Sequence, residues 1–162
     1  MPPLSLEQLA DSLTAEGKLY EKLTDQRVRC FACGHRCVIF EGKRGICKVR
    51  FNDGGTLKVP YGYVAALQCD PTEKKPFFHV LPGSLALTFG MLGCDFHCAY
   101  CQNWDISQAI RDPEAGTDPV KISADRVIDT AQERKAKLVV SSYNEPLITA
   151  EWSQDIFERA RK

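Results

Sequence analysis

Cysteine is the residue type with the greatest capacity for chemistry in this 162-residue chain, which has eight of them. Seven fall into two tight groups, residues 30–47 and residues 94–101, and only Cys69 stands apart. The N-terminus lacks the charged and then apolar layout of a signal peptide, so we expect a cytoplasmic protein whose thiols stay reduced. Grouped and reduced thiols indicate metal or redox chemistry and argue against a disulfide framework.

The central group has the spacing C-x3-C-x2-C and consists of Cys94, Cys98 and Cys101. Three thiolates from one loop can ligate three irons of a [4Fe-4S] cluster, which wants four ligands. One iron then stays open to an exogenous group, as catalytic zinc sites keep one position open. The alternative is a structural zinc knot built on a C-x2-C pair, with His97, Cys69 or another chain as the fourth ligand. Both are metal sites, and only the cluster has a free position.

The N-terminal group supplies four thiolates, from Cys30, Cys33, Cys37 and Cys47, in a stretch without sustained periodicity. Four cysteines complete either a tetrahedral zinc site or an iron–sulfur cluster, and neither leaves a vacancy. His35 offers a substitute ligand inside the run. Zinc would fold the segment, whereas a second cluster would give electrons a route towards the central one. Closed coordination favours a structural role, and the choice between zinc and iron–sulfur stays open.

The remaining composition is that of a globular protein without an evident polyanionic partner. Apolar residues make up 44% and charged residues 26% of the chain, and 21 basic residues balance 21 acidic ones. The longer apolar runs fall short of the roughly 20 residues that cross a bilayer. We therefore expect neither nucleic acid nor a membrane as a partner.

Local patterns predict the elements that position the two cysteine groups. Ser5 and Gln8 form the pattern of a capping box and predict a helix over residues 4–23. Residues 49–51 and 57–59 read as two strands joined by a tight turn. A strand, a helix, a strand and a helix are then predicted at residues 85–92, 124–135, 138–140 and 149–162.

This second half predicts the start of a parallel α/β repeat, in which ligands bind at loops that follow the carboxyl ends of strands. Both chemistry-bearing loops, residues 94–101 and residues 141–146, follow predicted strands. About two such units are too few to close or shield a parallel sheet. We therefore expect either that the sequence is truncated relative to a working enzyme or that the missing half of the sheet comes from elsewhere.

The central loop reads Gly93-Cys94-Asp95-Phe96-His97-Cys98-Ala99-Tyr100-Cys101-Gln102-Asn103, with Ile106-Ser107 shortly after. A C-x3-C-x-aromatic-C loop after a first strand resembles the signature of radical S-adenosylmethionine (SAM) enzymes. The longer stretch is similar to the activating enzymes of glycyl-radical enzymes such as pyruvate formate-lyase, and most similar to the AmmeMemoRadiSam-system radical SAM proteins. Further matching stretches are residues 70–76, 81–84 and 142–146 and the four-cysteine segment.

The resemblance implies three cluster ligands, Cys94, Cys98 and Cys101. It also implies that Tyr100 stands at the aromatic position near the adenine of SAM. Asn144 and Glu145 match an element whose backbone and carboxylate meet the methionine amino group, with Tyr143 and Asn144 where that element has glycines. The N-terminal thiols Cys30, Cys33, Cys37 and Cys47 are a second metal site that the resemblance does not assign to zinc or iron–sulfur.

As a whole, the resemblance implies an α/β fold: a helix and cysteine-rich module over residues 1–83, then the first part of a TIM-like radical SAM (β/α) barrel over residues 84–162. The implied activity is reductive cleavage of SAM by a [4Fe-4S] cluster, giving a 5′-deoxyadenosyl radical that abstracts a hydrogen atom from a substrate. A flavodoxin or ferredoxin would supply electrons. A protein glycine is one candidate substrate, and the system name suggests further partner proteins. The rival predictions are an iron–sulfur electron-transfer protein and a zinc-binding interaction module.

Overall fold

The computed structural model describes residues 4–112 and 114–162 of the chain. Across these ranges the protein is mixed α/β, with three three-stranded sheets, one two-stranded ribbon and four α-helices. The strands are β1 (Thr14–Glu16), β2 (Tyr20–Lys22), β3 (Val28–Cys30), β4 (Val38–Ile39), β5 (Phe51–Asp53), β6 (Thr56–Pro60), β7 (Tyr63–Val64), β8 (Ala66–Pro71), β9 (Leu85–Gly90), β10 (Val120–Lys121) and β11 (Leu138–Ser141). The α-helices are α1 (Leu6–Ser12), α2 (Trp104–Ser107), α3 (Ala124–Glu133) and α4 (Ala150–Ala160).

The N-terminal helix is much shorter than predicted. The capping box is present, because the Ser5 hydroxyl accepts from Gln8 N and the Gln8 side chain accepts from Ser5 N. Helix α1 nevertheless ends at Ser12, and the next residues form β1, which pairs antiparallel with β6, and then β2. Gly17 packs so closely that a Cβ there would lie 2.8 Å from Val59 Cγ1. Pairing with a distant strand overrides the local helical pattern, so the prediction of a helix over residues 4–23 was wrong beyond its first two turns.

The cysteine-rich segment has a small core of its own. The predicted hairpin is present as β5 and β6, but its first strand covers Phe51–Asp53 and not the predicted residues 49–51. Strand β1 completes their sheet in the order β1-β6-β5. Strands β2, β3 and β4 form a second antiparallel sheet. The buried residues that form this core are Val28, Cys30, Ala32, Ile39, Leu57 and Val59. This core holds part of a segment that the sequence pattern predicted to bury little.

The second half contains the predicted parallel strands. Strand β11 pairs parallel with β9, and α3 connects them as a βαβ unit. The Ser123 hydroxyl caps α3 by accepting from Arg126 N, as predicted. Helices α3 and α4 pack against each other and contact β11, burying Val127, Trp152 and Ile156 in the main core. The described residues do not form a closed barrel, and the partial barrel stays a prediction.

Strand pairing crosses the predicted module boundary at residue 83. Strand β8 pairs antiparallel with β9 over six residue pairs, so the third sheet has the order β11-β9-β8. Strand β7 likewise pairs with β10. Within the described part of the chain, no helix has both the length and the apolar character needed to cross a membrane.

Candidate metal and cofactor site

The two chemistry-bearing loops meet at the carboxyl ends of the parallel strands. The register places Ser141 beside Phe89, so β11 and β9 end together. The Asn144 side-chain amide donates to Gly93 O at 3.0 Å and is buried there. Gly90 allows the loop after β11 to lie close to the end of β9, because a Cβ at Gly90 would lie 2.7 Å from Ser142 O. The cysteine-bearing loop is therefore held directly against the loop that follows β11.

The three central thiols differ in exposure along one loop. Cys94 is buried, Cys101 is partly buried, and Cys98 is exposed. Cys101 Sγ lies 3.4 Å from Ser107 Oγ, and Cys101 N donates to Cys98 O at 3.2 Å. No three ligand atoms that include these thiols lie within 4.8 Å of one another among the described residues. The three thiols of the loop are therefore not gathered around one point in this structure.

Residues after the loop hold its backbone in place. Arg111 donates from Nη2 to Cys94 O at 2.8 Å and also to Ile46 O. The Gln108 side chain accepts from Arg111 at 2.9 Å and donates to Phe96 O at 3.2 Å. The contacts that Arg111 and Gln108 make with the loop itself use the backbone carbonyls of Cys94 and Phe96 and not the thiols.

Gly93 docks the loop onto the cysteine-rich segment. Its φ of +85° lies in the left-handed region, which glycine adopts freely. A Cβ at this position would lie 2.6 Å from Val49 Cγ1 and 2.8 Å from Cys47 O. The two cysteine groups, well separated in sequence, are therefore neighbours in space.

A cleft of about 640 Å³ opens beside the two loops. Its lining includes Gln102, Asn103, Ser142, Tyr143, Asp70 and Lys75. The volume is in the range of small-molecule sites, roughly 300–1,000 Å³. The cleft touches the residues directly after Cys101 and those directly before Asn144.

Tyr143 and Lys75 give the cleft its strained and charged features. Tyr143 has a φ of 74°, an outlier for a bulky residue. Lys75 Nζ lies 5.2 Å from the centre of the Tyr143 ring and 3.5 Å from Asp70 Oδ2, with a side chain only 11% exposed. The hydrogen bond from Lys74 and the charges of both lysines hold the pKa of Asp70 below its usual value.

The predicted SAM-binding residues take three different positions. Asn144 is buried and holds Gly93 O, so its amide positions the loop. Glu145 accepts from Leu147 N at 3.2 Å and caps the 3-10 turn Pro146–Thr149. Tyr100 is 88% exposed. Of these three, none lines the cleft within the part of the chain that the structure describes.

The N-terminal thiols are adjacent without converging on one point. Cys30 and Cys47 are buried, and Cys30 N donates to Cys37 O at 2.9 Å. Burial raises the pKa of Cys47, and burial together with the charges of Asp95 and Cys47 raises the pKa of Cys33 to about 11. In the described ranges, no three of the four predicted thiols lie within 4.8 Å of one another.

One group of three ligand atoms does converge. Cys33, His35 and Asp95 bring a thiol, an imidazole nitrogen and a carboxylate oxygen within 4.8 Å of one another. Sequence reasoning named Cys33 as a ligand and His35 as a substitute, and it missed Asp95, which belongs to the other loop. The only signal in the sequence was the position of Asp95 directly after Cys94.

Comparisons with known proteins give relatives without a described activity. The uncharacterized protein MJ0808 of Methanocaldococcus jannaschii is 37% identical over 148 residues, 91% of this chain and 44% of that protein. A second uncharacterized protein of that organism, MJ0674, is 34% identical over 84 residues, 51% of this chain and 20% of that protein. The chain thus spans less than half the length of each of these relatives. No protein-family profile and no solved structure matches it.

Proposed function

We propose that this chain is part of a radical SAM enzyme whose central loop binds a [4Fe-4S] cluster through Cys94, Cys98 and Cys101. The observation that carries the proposal is the meeting of two loops at the carboxyl ends of β9 and β11, beside a cleft of about 640 Å³. Ligand sites of parallel α/β folds lie at these strand ends. A three-thiol loop there has the ligands for a cluster with one open iron.

When bound, such a cluster would hold SAM at its open iron and pass one electron to the sulfonium, giving methionine and a 5′-deoxyadenosyl radical that takes a hydrogen atom from substrate. The contribution of this chain is to present the ligands and to bind the rest of SAM. Exposure of Cys98 leaves the outer face of the loop accessible. Arg111 and Gln108 keep its backbone in one conformation through their carbonyl contacts.

The cleft supplies groups that suit the polar parts of SAM. Asp70 and Lys75 carry the charges that an amino-acid zwitterion recognises, and burial of the Lys75 side chain strengthens such contacts. Gln102, Asn103 and Ser142 offer neutral hydrogen-bonding groups for hydroxyls. In this proposal the cleft binds SAM, and Tyr100 and Glu145 reach it only if their side chains reorient.

The backbone of Tyr143 supports the resemblance at a position where the residue type departs from it. Tyr143 stands where the related element has a glycine, and its φ of 74° is a conformation that glycine adopts without strain. Backbone strain of this kind costs roughly 1–3 kcal/mol and clusters at ligand sites. Asn144, at the second glycine position, uses its side chain to join the two loops.

The further parts of the proposal concern the whole protein. Cys30, Cys33, Cys37 and Cys47 are the ligands that spacing predicts for a closed site of zinc or iron–sulfur, and such a site would stabilise the N-terminal segment. The cytoplasm is the proposed compartment, with a flavodoxin or ferredoxin as reductant. A protein glycine or a partner protein is the proposed substrate class, and strands beyond this chain would complete the barrel.

Anaerobic reconstitution with iron and sulfide, followed by electron paramagnetic resonance, tests the proposal. We expect a reduced four-iron signal that shifts when SAM is added, because only an open iron changes its ligands. The triple variant Cys94→Ala/Cys98→Ala/Cys101→Ala should lose the signal. The variant Cys69→Ala is the matched control and should keep both the signal and the shift.

Two results would contradict the proposal. A cluster that forms and is not shifted by SAM would favour an electron-transfer protein. Zinc bound in place of iron, with no cluster after reconstitution, would favour a zinc-binding interaction module. Release of 5′-deoxyadenosine from SAM under reducing conditions is the second readout, and it should be absent from the triple variant.

A further inference from the structure

We propose that Cys33, His35 and Asp95 bind one divalent transition-metal ion, with zinc as the expected occupant, at the junction between the cysteine-rich segment and the central loop. The inference is independent of radical chemistry, because it concerns a site that needs neither SAM nor a cluster. It differs from the four-cysteine site predicted from spacing, since its third ligand comes from the central loop.

The separations between these ligand atoms are close to those of a tetrahedral site. Cys33 Sγ lies 3.8 Å from His35 Nδ1, and His35 Nδ1 lies 3.4 Å from Asp95 Oδ2. Zinc binds sulfur at about 2.3 Å and nitrogen or oxygen at about 2.0–2.2 Å, so neighbouring ligands of a tetrahedral ion lie roughly 3.3–3.7 Å apart. The separation of His35 Nδ1 from Asp95 Oδ2 lies within this range, and the separation of Cys33 Sγ from His35 Nδ1 exceeds it by 0.1 Å. The ligand atoms of Cys33 and Asp95 lie within 4.8 Å of each other.

Asp95 needs a cation that the surrounding protein does not supply. Its side chain is 3% exposed, and Oδ1 is buried without a hydrogen-bond partner in the described structure. The contact of Oδ2 with His35 is longer than the 2.7–2.9 Å typical of charge-assisted hydrogen bonds. A buried carboxylate is costly unless it is paired or coordinates a metal. A metal ion between Asp95 and His35 would satisfy it.

The chemistry of the donor set selects the ion. Thiolate, imidazole and carboxylate together suit zinc and its neighbours better than calcium or magnesium, which prefer oxygen ligands. His35 is 38% exposed on its side chain, so water can reach the site and complete the coordination. The Phe96 ring, 6.4 Å from the His35 ring and nearly perpendicular to it, restricts the orientation of the imidazole.

The site would join the two cysteine groups mechanically. Cys33 and His35 belong to the N-terminal segment, and Asp95 directly follows the cluster ligand Cys94. A metal ion here would fix the start of the central loop, in addition to the packing of Gly93 on Cys47 and Val49. The ion would also use Cys33, which the four-cysteine assignment needs as one of its ligands. In the site proposed here Asp95 is a ligand and Cys37 is not, whereas in the four-cysteine site Cys37 is a ligand and Asp95 is not.

Zinc and cobalt binding to the chain, prepared without iron, tests the inference. We expect one zinc ion per chain and a cobalt spectrum with tetrahedral d–d bands and the charge-transfer intensity of one thiolate. Asp95→Asn and His35→Gln should weaken the affinity by more than about 100-fold, since even outer-shell partners account for 10–100-fold. Cys37→Ser should retain the ion.

Matched controls are Asp105→Asn and His79→Gln, which change exposed residues outside the proposed site and should bind zinc like the parent chain. Full zinc affinity in Asp95→Asn, a cobalt band of four-thiolate intensity, or loss of the ion in Cys37→Ser would each overturn the inference. Far-ultraviolet circular dichroism establishes that each variant is folded. Because no iron or SAM is present, these outcomes are separate from failure of the radical SAM proposal.

Discussion

The two cysteine groups of this protein lie side by side and differ in exposure, since the central group has one exposed thiol and the N-terminal group has none. In the N-terminal group, Cys30 and Cys47 are buried, and Cys30 lies in a strand of an antiparallel sheet. In the central group, Cys98 is exposed on a loop beyond the end of a parallel strand. Burial suits a closed site that stabilises structure, whereas an exposed loop suits a site that admits a ligand. The same residue type can therefore serve different purposes when different elements carry it.

The variants Cys98→Ser and Cys47→Ser test the difference between the two groups most directly. We expect Cys98→Ser to lose the reconstituted cluster, with stability of the metal-free chain changed by less than about 0.5 kcal/mol because the residue is exposed. Cys47→Ser should cost about 1–3 kcal/mol, since it buries a hydroxyl in place of a thiol. Iron content and denaturant unfolding measure the two effects. Equal loss of stability in both variants would contradict the expected difference between the exposed Cys98 and the buried Cys47.

Arg50→Met should break the buried ion pair that joins Arg50 to Glu151 of α4. Arg50 is 1% exposed, donates to Glu151 at 2.6 and 2.9 Å and also donates to Ile148 O. Removing one partner leaves a buried charge, so we expect a loss of about 3–5 kcal/mol in the free energy of unfolding. Arg50→Met/Glu151→Leu should recover most of that loss in a double-mutant cycle. Additive effects in the cycle would contradict the pairing.

The same ion pair has a pH dependence with a definite sign. Burial tends to raise the pKa of Glu151, but the hydrogen bond and charge of Arg50 outweigh burial and hold it below its usual value. A lowered folded-state pKa contributes stability above the unfolded value of about 4.3, and this contribution is lost as the pH falls through the folded value. Stability measured from pH 7 to pH 3 should therefore fall less steeply in Arg50→Met/Glu151→Leu than in the parent chain.

Gly93→Ala tests the contact between the two regions. The new Cβ would meet Val49 and Cys47 O within 2.8 Å at a left-handed φ, so strain and overpacking together should cost about 2–4 kcal/mol. Gly83→Ala is the matched control, because Gly83 has a similar φ and open space around it. We expect the control to lose only about 1 kcal/mol. Equal losses by denaturant unfolding would show that packing of the loop contributes nothing.

Ser123→Ala should have the smallest effect and should leave both regions unchanged. The Ser123 hydroxyl caps α3 by accepting from Arg126 N at 3.1 Å. Loss of such a cap costs about 1 kcal/mol. Thermal unfolding measures the loss, and zinc and iron contents should equal those of the parent chain. A change in either metal content would mean that α3 positions the sites more tightly than its contacts indicate.

Local sequence was sufficient where neighbouring residues decide the conformation. The capping box at Ser5, the cap at Ser123, the hairpin of β5 and β6, and the strands β9 and β11 were all predicted from residues within one or two turns. These features depend on hydrogen bonds and side-chain alternation between near neighbours. The spacing of Cys94, Cys98 and Cys101 likewise placed the candidate ligands on one loop.

Tertiary structure decided whatever depends on segments far apart in the chain. Residues after Ser12 became strands because other strands offer them hydrogen bonds, β6 to β1 and β3 to β2, which a local pattern does not contain. Asp95 meets Cys33 and His35 only because the central loop packs on the cysteine-rich segment. The sequence by itself determined which side chains are available for metal binding and where single elements begin. The folded chain path determined which of those side chains share a site, since burial and proximity are set by packing between distant elements.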